Sequence, residues 1–508
     1  MSSRPIRFFH RGAVVEVDGV SPTRTVLDWL REQARCVGTK EGCNEGDCGA
    51  CTVVVGELPG AAQIGAPEVV GGLRLTTANA CIQFLPALDG KALFTIEDLR
   101  QGAALHPVQQ AMVECHASQC GFCTPGFAMS LWCAYEQHQA EGARPGSAAL
   151  ADTLAGNLCR CTGYRPILDA GERMFDPAPR LLDTAPVIAA LRAIAAQDAA
   201  EADAGAPARG GPHHLAPTSL AALAATRLAR PQARLLAGGT DIGLWVTKQF
   251  RDLGDVIWLG AVDELKAIED TAEVLRIGAG VSLETAWAAL AARAPALTEA
   301  WRRFAAPPVR HAGTMGGNVA NGSPIGDAAP VLMALDAQLL LRCGDASRRL
   351  PLASFYTGYQ QNLLQPGEFL QALEIPPAAF AATLRAYKIS KRFDSDISAV
   401  FGAFAITLDA AGCVARVRLA WGGLAAVVRR AALAEAALLG QPWQAPAVAA
   451  AQAALAQEFT PLSDMRASAG YRMRVAQNLL QRFWLETRDE RPLARDATTV
   501  WPAVSPAA

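Results

Sequence analysis

In Lys40-Glu41-Gly42-Cys43-Asn44-Glu45-Gly46-Asp47-Cys48-Gly49-Ala50-Cys51 three thiols form a C-x4-C-x2-C array, and a fourth, Cys81, follows well downstream. That is the plant-type ligand spacing for a [2Fe–2S] cluster. Such a cluster needs several thiolates converging on one small body, with backbone N–H groups turned toward its sulfurs. Gly42, Gly46 and Gly49 let a loop bend that tightly, because glycine tolerates positive φ. A structural zinc site is the alternative, but zinc frameworks commonly pair two C-x2-C knuckles.

The flanking sequence predicts a small domain around that loop. Ile6-Arg7-Phe8-Phe9 and Ala13-Val14-Val15-Glu16-Val17 read as a hairpin around His10-Arg11-Gly12. Residues 25–32 have helical spacing, with Thr23 or Thr25 as cap. Residues 51–55 are a β-branched strand, and residues 73–77 lead into Cys81. A mixed sheet with one helix and an edge loop over residues 1–90 resembles the β-grasp ferredoxin fold.

At 508 residues the chain exceeds one core, since domains typically hold about 100–200 residues. It is 51% hydrophobic and 19% charged, with a net charge of −2, which gives no electrostatic reason to expect nucleic acid or an anionic membrane as partner. No apolar run is long enough to span a bilayer, and residues 1–9 lack an apolar signal core. A soluble, cytoplasmic protein is expected. Thirteen cysteines then argue for metal ligation over disulfides, and eleven of them precede residue 162.

A helical texture follows residue 95. His106-Pro107 opens one helical run over residues 108–117. Gln119-Cys120-Gly121-Phe122-Cys123-Thr124-Pro125 precedes a second, with Thr124 as N-cap and Pro125 as first helical residue. A third, over 148–158, ends in Asn157-Leu158-Cys159-Arg160-Cys161-Thr162-Gly163, and residues 166–174 give a fourth. The C-x2-C and C-x-C pairs thus sit at helix ends, and packing of the helices as a bundle would bring four thiols together. Zinc is again the alternative, although C-x-C is unusual for a zinc knuckle.

Residues 42–52, 118–130 and 156–167 together resemble the motifs of the molybdenum hydroxylases, the xanthine dehydrogenase family. The resemblance implies one [2Fe–2S] cluster on Cys43, Cys48, Cys51 and Cys81, and a second on Cys120, Cys123, Cys159 and Cys161. It also implies that Gln119 contacts a pterin held by a partner chain. Cys36, Cys115, Cys133, Cys343 and Cys413 are read as small buried hydrophobes, Cys115 because it falls inside a predicted helix.

Residues 197–212 have the composition of a linker, and His213 and His214 beside it are read as solvated. Beyond it, a strand over 233–237 runs into Gly238-Gly239-Thr240-Asp241-Ile242-Gly243. Such a turn lets backbone N–H groups approach a diphosphate, but it lacks the G-x-G-x-x-G form and an ordinary tight turn is the alternative. A second segment, Val309-Arg310-His311-Ala312-Gly313-Thr314-Met315-Gly316-Gly317-Asn318-Val319-Ala320-Asn321-Gly322-Ser323-Pro324-Ile325-Gly326-Asp327, gathers donors and small residues. There Asp327 could accept from a ribose or ribityl hydroxyl, and Thr314, Asn318, Asn321 and Ser323 could bind phosphate or sugar oxygens.

Two such loops resemble the family's FAD domain, which is α+β, PCMH-like and not a Rossmann fold. The resemblance implies cofactor contacts at Leu236, Ala237, Gly238, Gly239, Thr240, Asp241, Ile242, Phe304, Thr314, Gly317, Asn318, Asn321, Ser323, Asp327, Leu370 and Lys388. Residues 388–398 are read as a charged loop, placed by the family near the flavin edge, ahead of an apolar strand over 400–408. Residues 460–469 are read as the start of a final amphipathic helix, and residues 471–485 also resemble the family's C-terminal flavoprotein domain.

The expected fold class is therefore α+β multidomain. It comprises a β-grasp 2Fe–2S ferredoxin domain (1–90), a four-helix 2Fe–2S domain (91–178), a linker (179–212), an FAD-binding domain (213–383), a C-terminal α+β flavoprotein domain (384–490) and a tail (491–508). By resemblance the chain is the small, electron-transfer subunit of a two-gene enzyme. It would pass electrons from purine hydroxylation on a molybdopterin-binding large subunit through two 2Fe–2S clusters to FAD and NAD+, in a dimer of heterodimers. Fusion of the cluster and flavin domains favours purine oxidation over carbon monoxide or nicotine. An aldehyde or other N-heterocycle as substrate, or a cluster-bearing redox sensor, are the alternatives. No acid–base or nucleophilic residue here is required for the hydroxylation, so none is named catalytic.

Overall fold

The structure is a computed structural model that describes residues 4–498 apart from 61–65, 101, 103, 204–209 and 212. The chain divides into two compact units, one of residues 1–226, 232–263 and 306–313, the other of 227–231, 264–305 and 314–508. No helix among the described residues is long and apolar enough to cross a membrane.

In the first unit Ile6–His10 (β1), Ala13–Val17 (β2), Thr52–Glu57 (β3), Val69–Val70 (β4), Leu73–Asn79 (β5) and Ala92–Phe94 (β6) form one sheet in the order β2-β1-β6-β3-β5-β4. Only the β1–β6 pair is parallel. Both faces are covered, which is why β3 is buried from Thr52 to Gly56 and apolar over Val53, Val54 and Val55 rather than alternating. Val53 and Val55 point to one side, where Val26, Leu27 and Leu30 of helix Val26–Glu32 (α1) pack on them. Val54 points to the other. Thr25 caps α1, its side chain accepting from the Asp28 N–H at 3.1 Å.

The second face of the sheet meets helices. Ile96–Leu99 (α2) and Pro107–Glu114 (α3) lead to Thr124–Glu141 (α4), whose Phe127, Leu131, Trp132 and Tyr135 share a core with Val54, Leu75 and Phe94. From Gly126 to Glu136 every α4 residue is buried, as expected of a helix surrounded by neighbours. The cap of α4 is Cys123 rather than Thr124, which is its first helical residue. Ser147–Thr153 (α5) and Arg165–Arg173 (α6) complete the layer, in which α3, α4, α5 and α6 are the four predicted helices and the short α2 precedes them.

Thr184–Asp203 (α7) corrects the linker reading: residues 197–203 continue a helix that begins at Thr184. Val187, Leu191 and Ile194 enter the core shared with α4. Asp198 and Glu201 pair with Arg4 and Arg7, the latter in β1. The remainder of the predicted linker, 204–209 and 212, lies outside the described residues.

Gly210–Gly211 (β7), His214–Leu215 (β8), Arg234–Leu236 (β9) and Val256–Trp258 (β10) make a small sheet in the order β7-β8-β10-β9. Helices Leu220–Ala229 (α8) and Ile242–Thr247 (α9) intervene in sequence. His213 is exposed beside Asp255, but His214 is not solvated: it is 6% exposed and its ring stacks on Trp258.

The second unit holds two antiparallel sheets. Ile268–Asp270 (β11), Leu275–Gly278 (β12), Gln338–Cys343 (β13) and Ala346–Pro351 (β14), with Phe369–Ile375 (β17), are ordered β11-β12-β17-β13-β14. Tyr356–Gly358 (β15) and Gln361–Asn362 (β16) form a separate ribbon. Thr383–Ile389 (β18), Val400–Leu408 (β19), Val414–Gly422 (β20) and Arg429–Arg430 (β21) pair in sequence order. Helices Ala445–Glu458 and Ala469–Thr487 cover the latter sheet, with Phe404, Trp421 and Phe483 in one ring cluster. Strand β19 has the predicted bounds. Lys388 is not in the charged loop; it lies in β18, paired with Phe401.

Candidate functional site

The β3–β5 register creates the first thiol group. Thr52 faces Asn79, so Cys51, just before β3, lies beside the turn that carries Cys81, and the Ala80 N–H donates to the Cys51 carbonyl. Both cysteines are 1% exposed. The loop then brings Cys43 and Cys48 to them: the Cys43 thiol contacts those of Cys48 and Cys81, and Cys81 contacts Cys51. Backbone donors point at sulfur, with Cys43 N–H 3.3 Å from Cys48 Sγ and Asp47 and Cys48 N–H 3.4 and 3.3 Å from Cys43 Sγ. Gly42 leaves room for this, since a Cβ there would lie 2.7 Å from Cys48 Sγ, and Gly46 and Gly49 hold positive φ of 76° and 69°.

The second thiol group joins the N-terminus of α4 to the loop after α5. Cys120 meets Cys161, and Cys123 meets Cys159. Cys159 Sγ accepts from the Thr162 backbone at 3.4 Å and from its hydroxyl at 3.2 Å. Cys120 and Cys161 are exposed, and Gln119 Nε2 donates to the Cys161 carbonyl at 3.1 Å. Among the described residues no three or more Cys, His, Asp or Glu close round a single point as one metal ion requires. Four thiols gathered in each set, with N–H donors at sulfur, fit an iron–sulfur cluster.

The other five cysteines divide. Cys36 and Cys133 are buried, and burial pushes the Cys133 thiol up to about 12, so it is inert. Cys115, Cys343 and Cys413 are half-buried rather than buried. Cys115 is at the end of α3, not within it.

Each unit holds part of the expected cofactor set. In the first, Leu236 ends β9 and is buried, while Ala237, Gly238 and Thr240 form a half-exposed turn and Asp241 caps α9. A Cβ on Gly238 would lie 1.9 Å from the Ala312 carbonyl oxygen, and Gly239 holds φ +73°. Ile242 and Gly243 begin α9, and a Cβ on Gly243 would lie 2.8 Å from the Ile82 carbonyl oxygen, next to Cys81. Thr247 Oγ1 donates to the Asn44 carbonyl within the first thiol loop. Neither contact carries a sequence signal, because both join segments far apart in the chain.

In the second unit Thr314 caps helix Met315–Asn321, its hydroxyl accepting from the Gly317 N–H at 3.0 Å. Gly317 is exposed, while Asn318, Asn321 and Ser323 are half-buried around the same turn. Asn318 Oδ1 is buried without a hydrogen-bond partner. An orphaned acceptor in a glycine-rich turn fits a missing donor such as a flavin nucleotide hydroxyl. Asp327 is engaged within the protein: Lys388 Nζ donates to its Oδ2 at 2.6 Å and Ser398 Oγ to its Oδ1 at 2.7 Å. Phe304 and Leu370 are 7% and 5% exposed and belong to the core, Phe304 against Trp287.

Sequence reasoning missed one buried amide. Asn157 Nδ2 donates to the Gly49 carbonyl at 3.1 Å and to Thr52 Oγ1 at 3.2 Å, and its Oδ1 accepts from Ser130 Oγ at 2.7 Å.

Comparison with known proteins matches four family descriptions in order. They are the 2Fe-2S iron-sulfur cluster binding domain over residues 8–82, the [2Fe-2S] binding domain over 95–172, the FAD binding domain in molybdopterin dehydrogenase over 211–378, and the CO dehydrogenase flavoprotein C-terminal domain over 385–487. A xanthine dehydrogenase of Emericella nidulans is 31% identical over 94% of this chain and 38% of its own length. One from Drosophila subobscura is 31% identical over 82% and 34% respectively. The chain thus spans about a third of the length of these relatives. A solved carbon monoxide dehydrogenase from Hydrogenophaga pseudoflava is similar at 28% identity and TM-score 0.50, over 53% of this chain and 94% of that one. A quinoline 2-oxidoreductase from Pseudomonas putida 86, 23% identical with TM-score 0.50 over 56% of this chain and 99% of that one, shares the fold.

Proposed function

Since the chain carries the two iron–sulfur domains, the FAD-binding domain and the flavoprotein C-terminal domain of the molybdenum hydroxylases, we propose that it is the electron-transfer component of a xanthine dehydrogenase. In this reading a partner subunit holds the molybdopterin and hydroxylates hypoxanthine or xanthine, NAD+ is the final acceptor, and two such pairs associate. When bound, the clusters carry single electrons and FAD collects two and yields them as hydride. This chain's residues hold and tune these groups and supply no acid or base to the hydroxylation.

The observation that carries the reading is the presence on one chain of two complete four-thiol sets, each with donors at sulfur, followed by the FAD domain. Cys43, Cys48, Cys51 and Cys81 would hold one cluster and Cys120, Cys123, Cys159 and Cys161 the other. The turn at 314–327, with the orphaned Asn318 Oδ1, would contact the flavin nucleotide. All thirteen cysteines are free, which suits a reducing cytoplasm. The xanthine dehydrogenase relatives, aligned over 94% and 82% of the chain, support the purine substrate. A second reading keeps the electron path but feeds an aldehyde or another N-heterocycle, since the chain spans only about a third of its xanthine dehydrogenase relatives.

Metal and flavin analysis of the purified chain, with EPR after dithionite reduction, tests the core of this. About four iron and one FAD, with two distinct signals, are expected; two zinc and no flavin would overturn it. Xanthine-dependent NAD+ reduction after recombination with the partner separates the two substrates.

A further inference from the structure

The two thiol sets are joined by a very short connection. The Leu158 N–H donates to the Cys48 carbonyl at 3.0 Å. Cys48 belongs to the first set, and Leu158 directly precedes Cys159 of the second. A single hydrogen bond therefore links the backbone of a residue in one set to that of a neighbour in the other.

Asn157 holds that junction together. It is 3% exposed, and its side-chain amide bonds to three residues at once. Gly49 follows Cys48, Thr52 follows Cys51, and Ser130 stands on α4, whose cap is Cys123. Both Nδ2 hydrogens and the Oδ1 are used. The backbones around it touch without intervening side chains. A Cβ on Gly49 would lie 2.2 Å from the Gly156 carbonyl oxygen, and one on Gly126 would lie 2.1 Å from the Gly49 carbonyl oxygen. No other residue than glycine allows this approach.

We propose that Asn157 is a positioning residue that fixes the spacing of the two thiol sets, so that electrons cross between them by way of the Leu158 N–H and the Cys48 carbonyl. The inference rests on the reading that both sets hold [2Fe–2S] clusters. The step moves one electron from the reduced centre at Cys120, Cys123, Cys159 and Cys161 to the oxidised centre at Cys43, Cys48, Cys51 and Cys81. No bond or proton changes hands. Tunnelling falls steeply with the gap it must cross, and bonded atoms carry it better than a void, so a junction that opens costs coupling before it costs fold.

The test uses the full cluster-bearing chain and three variants, N157A, N157D and S130A. Asparagine-to-aspartate keeps the shape and the Ser130 bond but removes both donated hydrogen bonds, so it separates positioning from space-filling. After dithionite reduction, low-temperature EPR reads the spin–spin splitting between the two centres, and hydrogen exchange reads the Leu158 amide. In N157A and N157D the iron content and both signals should persist while the splitting and the Leu158 protection are lost, with a smaller change in the same direction for S130A. Splitting and protection in N157D equal to those of the unsubstituted chain would overturn the proposal. If N157A fails to fold, N157D and S130A decide. Absence of both signals in the unsubstituted chain would instead remove the functional reading and this inference with it.

Discussion

Lys388 Nζ lies 2.6 Å from Asp327 Oδ2 and 2.9 Å from Ser398 Oγ, and Ser398 closes the triangle by donating to Asp327 Oδ1. All three residues are at most 6% exposed. A buried carboxylate and ammonium this close each depend on the other, because neither has water to turn to.

Lys388→Met leaves Asp327 with Ser398 alone and should destabilise the second unit by about 3–5 kcal/mol, read from denaturant unfolding. Replacing both charges together, as Asp327→Asn with Lys388→Met, should cost less than the single change. Equal losses from the single and double variants would mean that the pair carries no mutual stabilisation.

Cys81→Ser removes a ligand from the buried set only. Iron should fall from about four to about two per chain, with one EPR signal left. Cys120→Ser, at the exposed set, should remove the other signal. If either substitution abolishes both signals while the chain stays folded, the division of thiols into two sets is wrong.

Glu136, fully buried in α4, accepts from the Leu182 N–H with both carboxylate oxygens. Burial pushes its carboxyl up to about 7 from 4.5, opposed by hydrogen bonds from Leu182 and Trp132. The folded state therefore binds this proton more tightly than the unfolded one. Its stabilisation is present below about pH 4.5 and is lost as pH rises through 7, by about 3 kcal/mol at order of magnitude. Glu136→Gln should remove that slope from stability measured between pH 5 and 8.

His106 titrates in the opposite sense. Its Nδ1 accepts from the Val108 N–H and its Nε2 donates to the Arg180 carbonyl, so the ring is held neutral. Burial pushes it down to about 4 from 6.5. The unfolded state binds the proton more tightly, so this contribution is complete above pH 6.5 and is lost as pH falls toward 4. His106→Asn should retain the cap while flattening the acid limb of the unfolding profile.

Much of this molecule is legible in its sequence where the signal is local. The C-x4-C-x2-C array and the C-x2-C and C-x-C pairs stand out by spacing, Thr25 by its place before an apolar helix, and β19 by an apolar run. The unread parts owe their state to partners distant in the chain. Lys388 looks like the start of a charged loop until strand pairing places it inside, opposite Phe401 and against Asp327. His214 looks solvated until Trp258 covers it. Asn157 has no periodicity to reveal it, since its partners lie at Gly49, Thr52 and Ser130. Residues 184–203 are alanine-rich and charged, a composition shared by linkers and good helices. What decides for a helix is the core that takes Val187, Leu191 and Ile194, together with the pairing of Asp198 and Glu201 with Arg4 and Arg7.

That last pairing orders events during synthesis. Arg7 is 5% exposed in β1, and Asp198 and Glu201, two of the acids that neutralise it, are encoded near the far end of α7. As the chain leaves the ribosome, the first strand waits through nearly the whole iron–sulfur portion before those carboxylates emerge. Until then the second strand in from the sheet edge carries an arginine answered by the exposed Glu16. The first unit is therefore complete only when its last long helix has docked on its first strand, and a nascent chain stopped before residue 198 would hold its thiol loops on an unfinished sheet.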